Sequence, residues 1–93
     1  MTSPVQWRPK AIEDLARIVT HISEENPVAA RQVGRELLLA GDSLTLFPYR
    51  GRHGLVPGTR ELVSYYPYIL VYRLIGDKII VLRIWHGAQN RPE

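Results

Sequence analysis

Apolar positions recur along this chain at two spacings, and the change from one to the other divides it in half. In the first half they fall at Ile12, Leu15, Ala16, Val19 and Ile22, one stripe of a helix. Pro9 suits the first turn of that helix, where its missing N–H costs nothing. Glu13 and Asp14 are read in the same turn, complementing the helix dipole. Asn26-Pro27 supplies a cap and a first position for a second helix, predicted over 27–46. Its inward positions are Ala30, Val33, Leu37, Leu44 and Phe47. Gly34 and Gly41 lie inside it at a cost of about 1 kcal/mol each against alanine. They are read as places where the first helix approaches closely.

In the second half the period shortens toward two. Strands are predicted at 60–65, 68–74 and 78–85, and Val5, Gln6 and Trp7 form a short first strand. Gly76-Asp77 is a two-residue hairpin turn, which pairs Ile75 with Lys78 and fixes the register. Carried through without interruption, that register puts Ile69, Val71, Ile80, Leu82 and Ile84 on the face that packs against the helices. Leu70, Tyr72, Leu74, Ile79, Val81, Arg83 and Trp85 fall on the opposite face, a mixture suited to recognition. Arg73 and His86 fall at the two ends of the packing face, and Glu61 is a candidate ion-pair partner for Arg73. Residues 48–58 form a basic loop rich in Pro and Gly, without the strand–loop–helix context of a phosphate loop. The fold class is therefore α+β, a single domain over 1–93. A short N-terminal strand and a two-helix hairpin pack on a three- to four-stranded, mainly antiparallel sheet.

Composition changes this picture in one respect. Of 93 residues, 45% are hydrophobic and 23% charged, ordinary for a folded chain. The net charge of +3 is unevenly spread. Residues 1–47 carry five basic and six acidic groups, a balance of −1; residues 48–93 carry seven and three, a balance of +4. The sheet half is the electropositive half, which points to an acidic partner or a nucleic acid. There is no cysteine, no secretory leader pattern and no apolar run of membrane-spanning length, so a cytoplasmic protein with no membrane partner is expected.

Candidate chemistry is sparse. His21, His53 and His86 are scattered without metal-ligand spacing, and neither a metal nor a cofactor is expected. One arrangement has catalytic potential: Arg60, Arg73, Arg83 and His86 with Tyr65, Tyr66 and Tyr72. Arginines can stabilise a phosphorane-like transition state, and a histidine or tyrosine can move a proton, as metal-free cleavage of RNA by its own 2′-hydroxyl requires. Against this, a lone histidine is commonly a hydrogen-bonded structural group. Trp85 either stacks on a base or packs against Trp7 or the sheet rim.

The order strand, helix, helix, three antiparallel strands resembles the RelE/ParE superfamily of bacterial type II toxins. The segments that carry the resemblance are Pro57-Gly58-Thr59-Arg60-Glu61-Leu62, Tyr68-Ile69-Leu70-Val71-Tyr72-Arg73 and Leu82-Arg83-Ile84-Trp85-His86-Gly87. The resemblance implies a toxin held inactive in a hetero-oligomer by a cognate antitoxin whose C-terminal segment, acidic or amphipathic, wraps it. It also divides by target. RelE-like members cut messenger RNA on the ribosome and usually carry an arginine at the strand position held here by Ile69. They also tend to have lysines in the preceding loop and strand, whereas the only lysines here are Lys10 and Lys78. After the last strand they tend to have an aromatic or extra basic residues, whereas residues 88–93 have no aromatic. ParE-like members inhibit DNA gyrase and show an apolar residue at the Ile69 place, a pair like Tyr72-Arg73 and a pattern like Arg83 to His86. The resemblance thus implies a gyrase inhibitor, with Arg60, Tyr72, Arg73, Arg83, Trp85 and His86 binding target or antitoxin. The alternative is a ribosome-dependent nuclease using Arg60, Arg83 and His86. A further alternative is an antitoxin-binding module without toxicity.

Overall fold

The computed structural model describes residues 4–87. Strand β1 (Val5–Trp7) leads into helix α1 (Pro9–Ser23), then α2 (Pro27–Asp42) and a 3-10 turn (Ser43–Thr45). Strands β2 (Arg52–His53), β3 (Thr59–Tyr65), β4 (Tyr68–Ile75) and β5 (Lys78–His86) follow. The sheet order is β1-β5-β4-β3-β2, with β1 parallel to β5 and every other pair antiparallel. The expected architecture is present, and the fifth strand is the two-residue β2 within the predicted loop. No helix among the described residues is long and apolar enough to cross a membrane.

Pro9 and Pro27 open the two helices as expected, and the Asn26 side chain accepts from the Ala29 N–H at 3.1 Å. Glu13 and Asp14 are not in the first turn of α1 as expected; that turn holds no acidic residue. The stripe is also rotated. Ala11 and Asp14 are buried, Leu15, Ile18 and Ile22 pack against the core, and Ile12 and Ala16 face outward. Helix α2 stops at Asp42, four residues short of the expectation, because the chain tightens into the 3-10 turn. That tightening keeps Leu44 inside but turns Phe47 out, 61% exposed.

Gly34 lies against Val19 of α1, as expected, while Gly41 makes room for the Trp7 ring of β1, where a Cβ would collide. Helical Ala11, Val33, Leu37, Ala40 and Leu44 meet Leu62, Leu70, Tyr72, Ile79, Val81 and Ile84 of the sheet in one core. Fully buried leucines of this kind stabilise a fold by about 1.5–3 kcal/mol each.

The predicted faces are wrong along β4 and the first part of β5, although the turn is right. Ile75 pairs with Lys78, as expected, and Leu74 with Ile79. The helices nevertheless cover the side bearing Leu70, Tyr72, Leu74, Ile79 and Val81. Between Val71 and Tyr72 the register then shifts: Tyr72 pairs with Val81 but Val71 pairs with Arg83, leaving Leu82 as an extra residue. The bulge puts Ile84 on the helix side and leaves Ile69, Val71, Leu82 and Trp85 as a second apolar cluster on the open side.

Candidate functional site

The open side of the sheet and the edge of β5 gather most of the candidate side chains. Strand β1 ends at Trp7, paired with Val81, and the Arg8 N–H makes the last bond to the Val81 carbonyl at 2.9 Å. Beyond that point the β5 edge needs another acceptor, and Asp14 of α1 provides it. Its Oδ2 accepts from the Ile84 N–H at 3.0 Å and from Arg83 Nε at 2.7 Å, and its Oδ1 accepts from Arg83 Nη2 at 3.0 Å. Arg17 adds a contact at 3.3 Å.

Burial of Asp14 works against its charge. Hydrogen bonds from Arg83 and Ile84, with the charges of Arg83 and Arg17, outweigh it and hold the carboxyl below its ordinary value. The Asp14 hydrogen bond in turn raises the Arg83 pKa despite partial burial. The Arg83 guanidinium also lies 4.2 Å from the centre of the Trp85 ring.

Arg73 lies on this open side, paired across the ladder with Thr59. Its one hydrogen bond among the described residues is a long one of 3.5 Å from Nη2 to the Pro57 carbonyl. The expected Arg73–Glu61 pair does not form: Arg52 holds Glu61 Oε1 from Nη2 at 3.1 Å and from Nε at 3.3 Å. Cross-strand pairing aligns Arg52, Glu61, Val71 and Arg83 in one row. Arg73, Arg83 and Trp85 line a hollow of about 210 Å³ with Val56, Thr59, Val71 and Leu82. The Trp85 indole N–H is buried and makes no hydrogen bond among the described residues. Trp85 packs in the open-face cluster, apart from Trp7 in the helix-side core, and forms a wall of the hollow.

The other expected site residues are elsewhere. Tyr72, expected at the binding surface, is fully buried on the helix side. Its hydroxyl donates to the Pro48 carbonyl at 2.8 Å and accepts from the Gly51 N–H at 2.9 Å, and burial raises its pKa against the opposing pull of the Gly51 N–H and the charges of Arg60 and Arg50. Arg60, opposite Tyr72, fastens the same loop through the Gly51 and Tyr49 carbonyls at 2.7 and 3.3 Å. His86 is exposed beside Tyr68, ring centres 5.7 Å apart, in a cleft of about 190 Å³ toward Asp14, Arg17 and His21 of α1. Arg60, Arg83 and His86 thus do not converge on one point. A larger, shallow groove of about 790 Å³ runs over Leu46, Phe47, Pro48, Tyr49 and Arg50 and holds none of the candidate residues.

Asp14 is the site residue that the sequence reading missed. Its signal was a carboxylate three and four residues from Ala11 and Ile18, on the side of α1 that the core claims.

Comparison with known proteins places this geometry in a family. The family model for the "ParE toxin of type II toxin-antitoxin system, parDE" matches residues 5–91. Toxin RelE1 of Caulobacter vibrioides is 39% identical, covering 98% of this chain and all of its own. Toxin ParE3 of the same organism is 36% identical over 83% of this chain and 79% of its own. A chain of the chromosomal ParDE system from P. aeruginosa superposes with a TM-score of 0.82 at 27% identity, over 91% of this chain and 96% of that one.

Proposed function

Because the chain belongs to the ParE toxins of type II toxin–antitoxin systems, we propose that it is a ParE-like inhibitor of DNA gyrase, neutralised by a cognate antitoxin in a hetero-oligomer. The observation that carries the reading is the dispersal of the nuclease trio. Arg83 commits two N–H groups to Asp14, Arg60 is tied to loop carbonyls on the other side of the sheet, and His86 faces the α1 cleft. A scissile phosphate needs such groups around one point, pre-aimed where charge develops. Ile69 supports the same side: it lies in the open-face apolar cluster, at the position where the resemblance puts a phosphate-contacting arginine in nucleases. A sheet face with an apolar cluster, two of whose three arginines are paired with buried carboxylates, suits contact with a protein. Gyrase acts in the cytoplasm, and so would its inhibitor.

Three measurements test this. Purified toxin should block supercoiling by gyrase and leave transcripts intact in cells that express it; unaffected gyrase over a wide concentration range would reject the target. Transcripts cut on ribosomes, with cutting abolished in His86→Ala, would establish the nuclease reading instead. Co-expression with the cognate antitoxin should yield a co-purifying complex and restore growth, and normal growth without antitoxin would leave a binding module devoid of toxicity.

A further inference from the structure

We infer that the open-face hollow between Arg73 and Arg83 is the receptor for a single carboxylate side chain, presented by an apolar segment of a protein partner. The inference rests on the protein-partner reading above and names the chemistry that partner must carry.

The fold leaves charge unsettled on this face. Three arginines lie on or beside this face. Arg52 is neutralised by Glu61 and Arg83 by Asp14, both carboxylates buried. Arg73 has no carboxylate partner among the described residues, where its one hydrogen bond goes to the Pro57 carbonyl at 3.5 Å. The hollow therefore has room for one negative charge. A run of phosphates would meet the buried Glu61 carboxylate one ladder pair along, beside Val71.

Its remaining chemistry agrees. With Nε and Nη2 turned to Asp14, Arg83 keeps Nη1 for a second acceptor. The Trp85 indole N–H, enclosed in the wall, lacks an acceptor, and a buried donor left so is destabilising. Val71 and Leu82 give the hollow apolar sides against which methylenes can pack. At about 210 Å³ it lies below the about 300–1,000 Å³ of pockets that enclose drug-sized molecules, which suits one side chain.

Nuclear magnetic resonance of the full chain tests the inference, with the Trp85 indole N–H as reporter. The probe is a capped pentapeptide with Leu-Glu-Leu at its centre. It should move the Trp85 signal saturably, and its Leu-Gln-Leu counterpart should bind about tenfold more weakly. Arg73→Gln should produce the same loss with the glutamate peptide, and Arg73→Lys should recover part of it. Arg73 holds so little of the fold that both variants should keep the wild-type spectrum elsewhere. Equal shifts with the two peptides would overturn the inference, as would an Arg73→Gln variant that binds normally. A short oligouridylate that moves the same signal at lower concentration than the glutamate peptide would also overturn it, in favour of nucleic acid. Peptide binding that persists while gyrase inhibition and antitoxin capture both fail would sink the functional reading and leave the hollow standing; the converse pattern would do the reverse.

Discussion

Replacing Asp14 by asparagine isolates the interaction that ties α1 to the edge of β5. The carboxylate is 2% exposed, accepts a forked pair of bonds from Arg83 at 2.7 and 3.0 Å, and accepts the Ile84 N–H at 3.0 Å. Breaking a buried pair by removing one partner costs about 3–5 kcal/mol. Two features reduce the figure here. The Arg83 side chain keeps 29% exposure, so water recovers part of its solvation, and asparagine retains one carbonyl acceptor. We expect Asp14→Asn to cost about 2–3 kcal/mol, and Asp14→Ala more, since the Ile84 N–H then has no acceptor. For a 93-residue domain the asparagine variant should lower Tm by roughly 10–20 °C.

The assay is urea unfolding across pH. The folded-state pKa of Asp14 lies below its ordinary 3.8, so its contribution is fully present above that value and fades as pH falls through the lowered folded value. The gap between wild type and Asp14→Asn should be constant near neutrality and shrink only in acid below about 4. A cost under about 0.5 kcal/mol, typical of a surface pair, would refute the argument. So would a gap that widens in acid.

Three further outcomes follow from the packing. Tyr72→Phe removes both loop bonds and should cost about 1–3 kcal/mol in urea unfolding, with faster amide exchange at Gly51. Gly41→Ala should cost about 1–3 kcal/mol because its Cβ meets the Trp7 ring, whereas at Gly34 the about 1 kcal/mol gained in helix propensity offsets a tight contact with Val19; paired thermal melts should separate the two. Asn26→Ala should cost about 1 kcal/mol by removing the α2 cap, measured the same way.

Local chemistry was legible in the sequence. Pro9, the Asn26-Pro27 cap and the Gly76-Asp77 turn each act over a few residues and are found where the sequence puts them. What was hidden depends on partners far along the chain. Asp14 and Arg83 are 69 residues apart, and nothing local says that a strand edge will need an acceptor from α1. Arg60 and Tyr72 look like recognition residues because a cation and an aromatic are suited to it. They are consumed in fastening the 48–51 segment, which itself gives no regular signal. Of the six expected binding residues, the open hollow gathers Arg73, Arg83 and Trp85. The electropositive half suggested several unsettled arginines there, but among the described residues of the hollow and its row buried carboxylates pair Arg52 and Arg83 and leave Arg73.

The misassignment of faces traces to one extra residue that interrupts the alternation of β5, and that residue can be removed. Ile79 and Val81 face the helices, and strict alternation would send Arg83 to the same side and Ile84 away. The extra residue at Leu82 reverses this, bringing Arg83 to the open face and Ile84 to the core. Deleting Leu82 should therefore leave every downstream side chain on its present side and convert a bulged ladder into a regular one. The loss is one half-buried leucine, about 1–2 kcal/mol. Deleting Leu70 from β4 instead would push Ile69 toward the core and Tyr68 out of it, and should abolish cooperative unfolding. Thermal melts of the two deletions compare the cases directly. If the Leu82 deletion proves as damaging as the Leu70 deletion, the bulge is needed for more than orientation, and the account of how Arg83 reaches Asp14 fails with it.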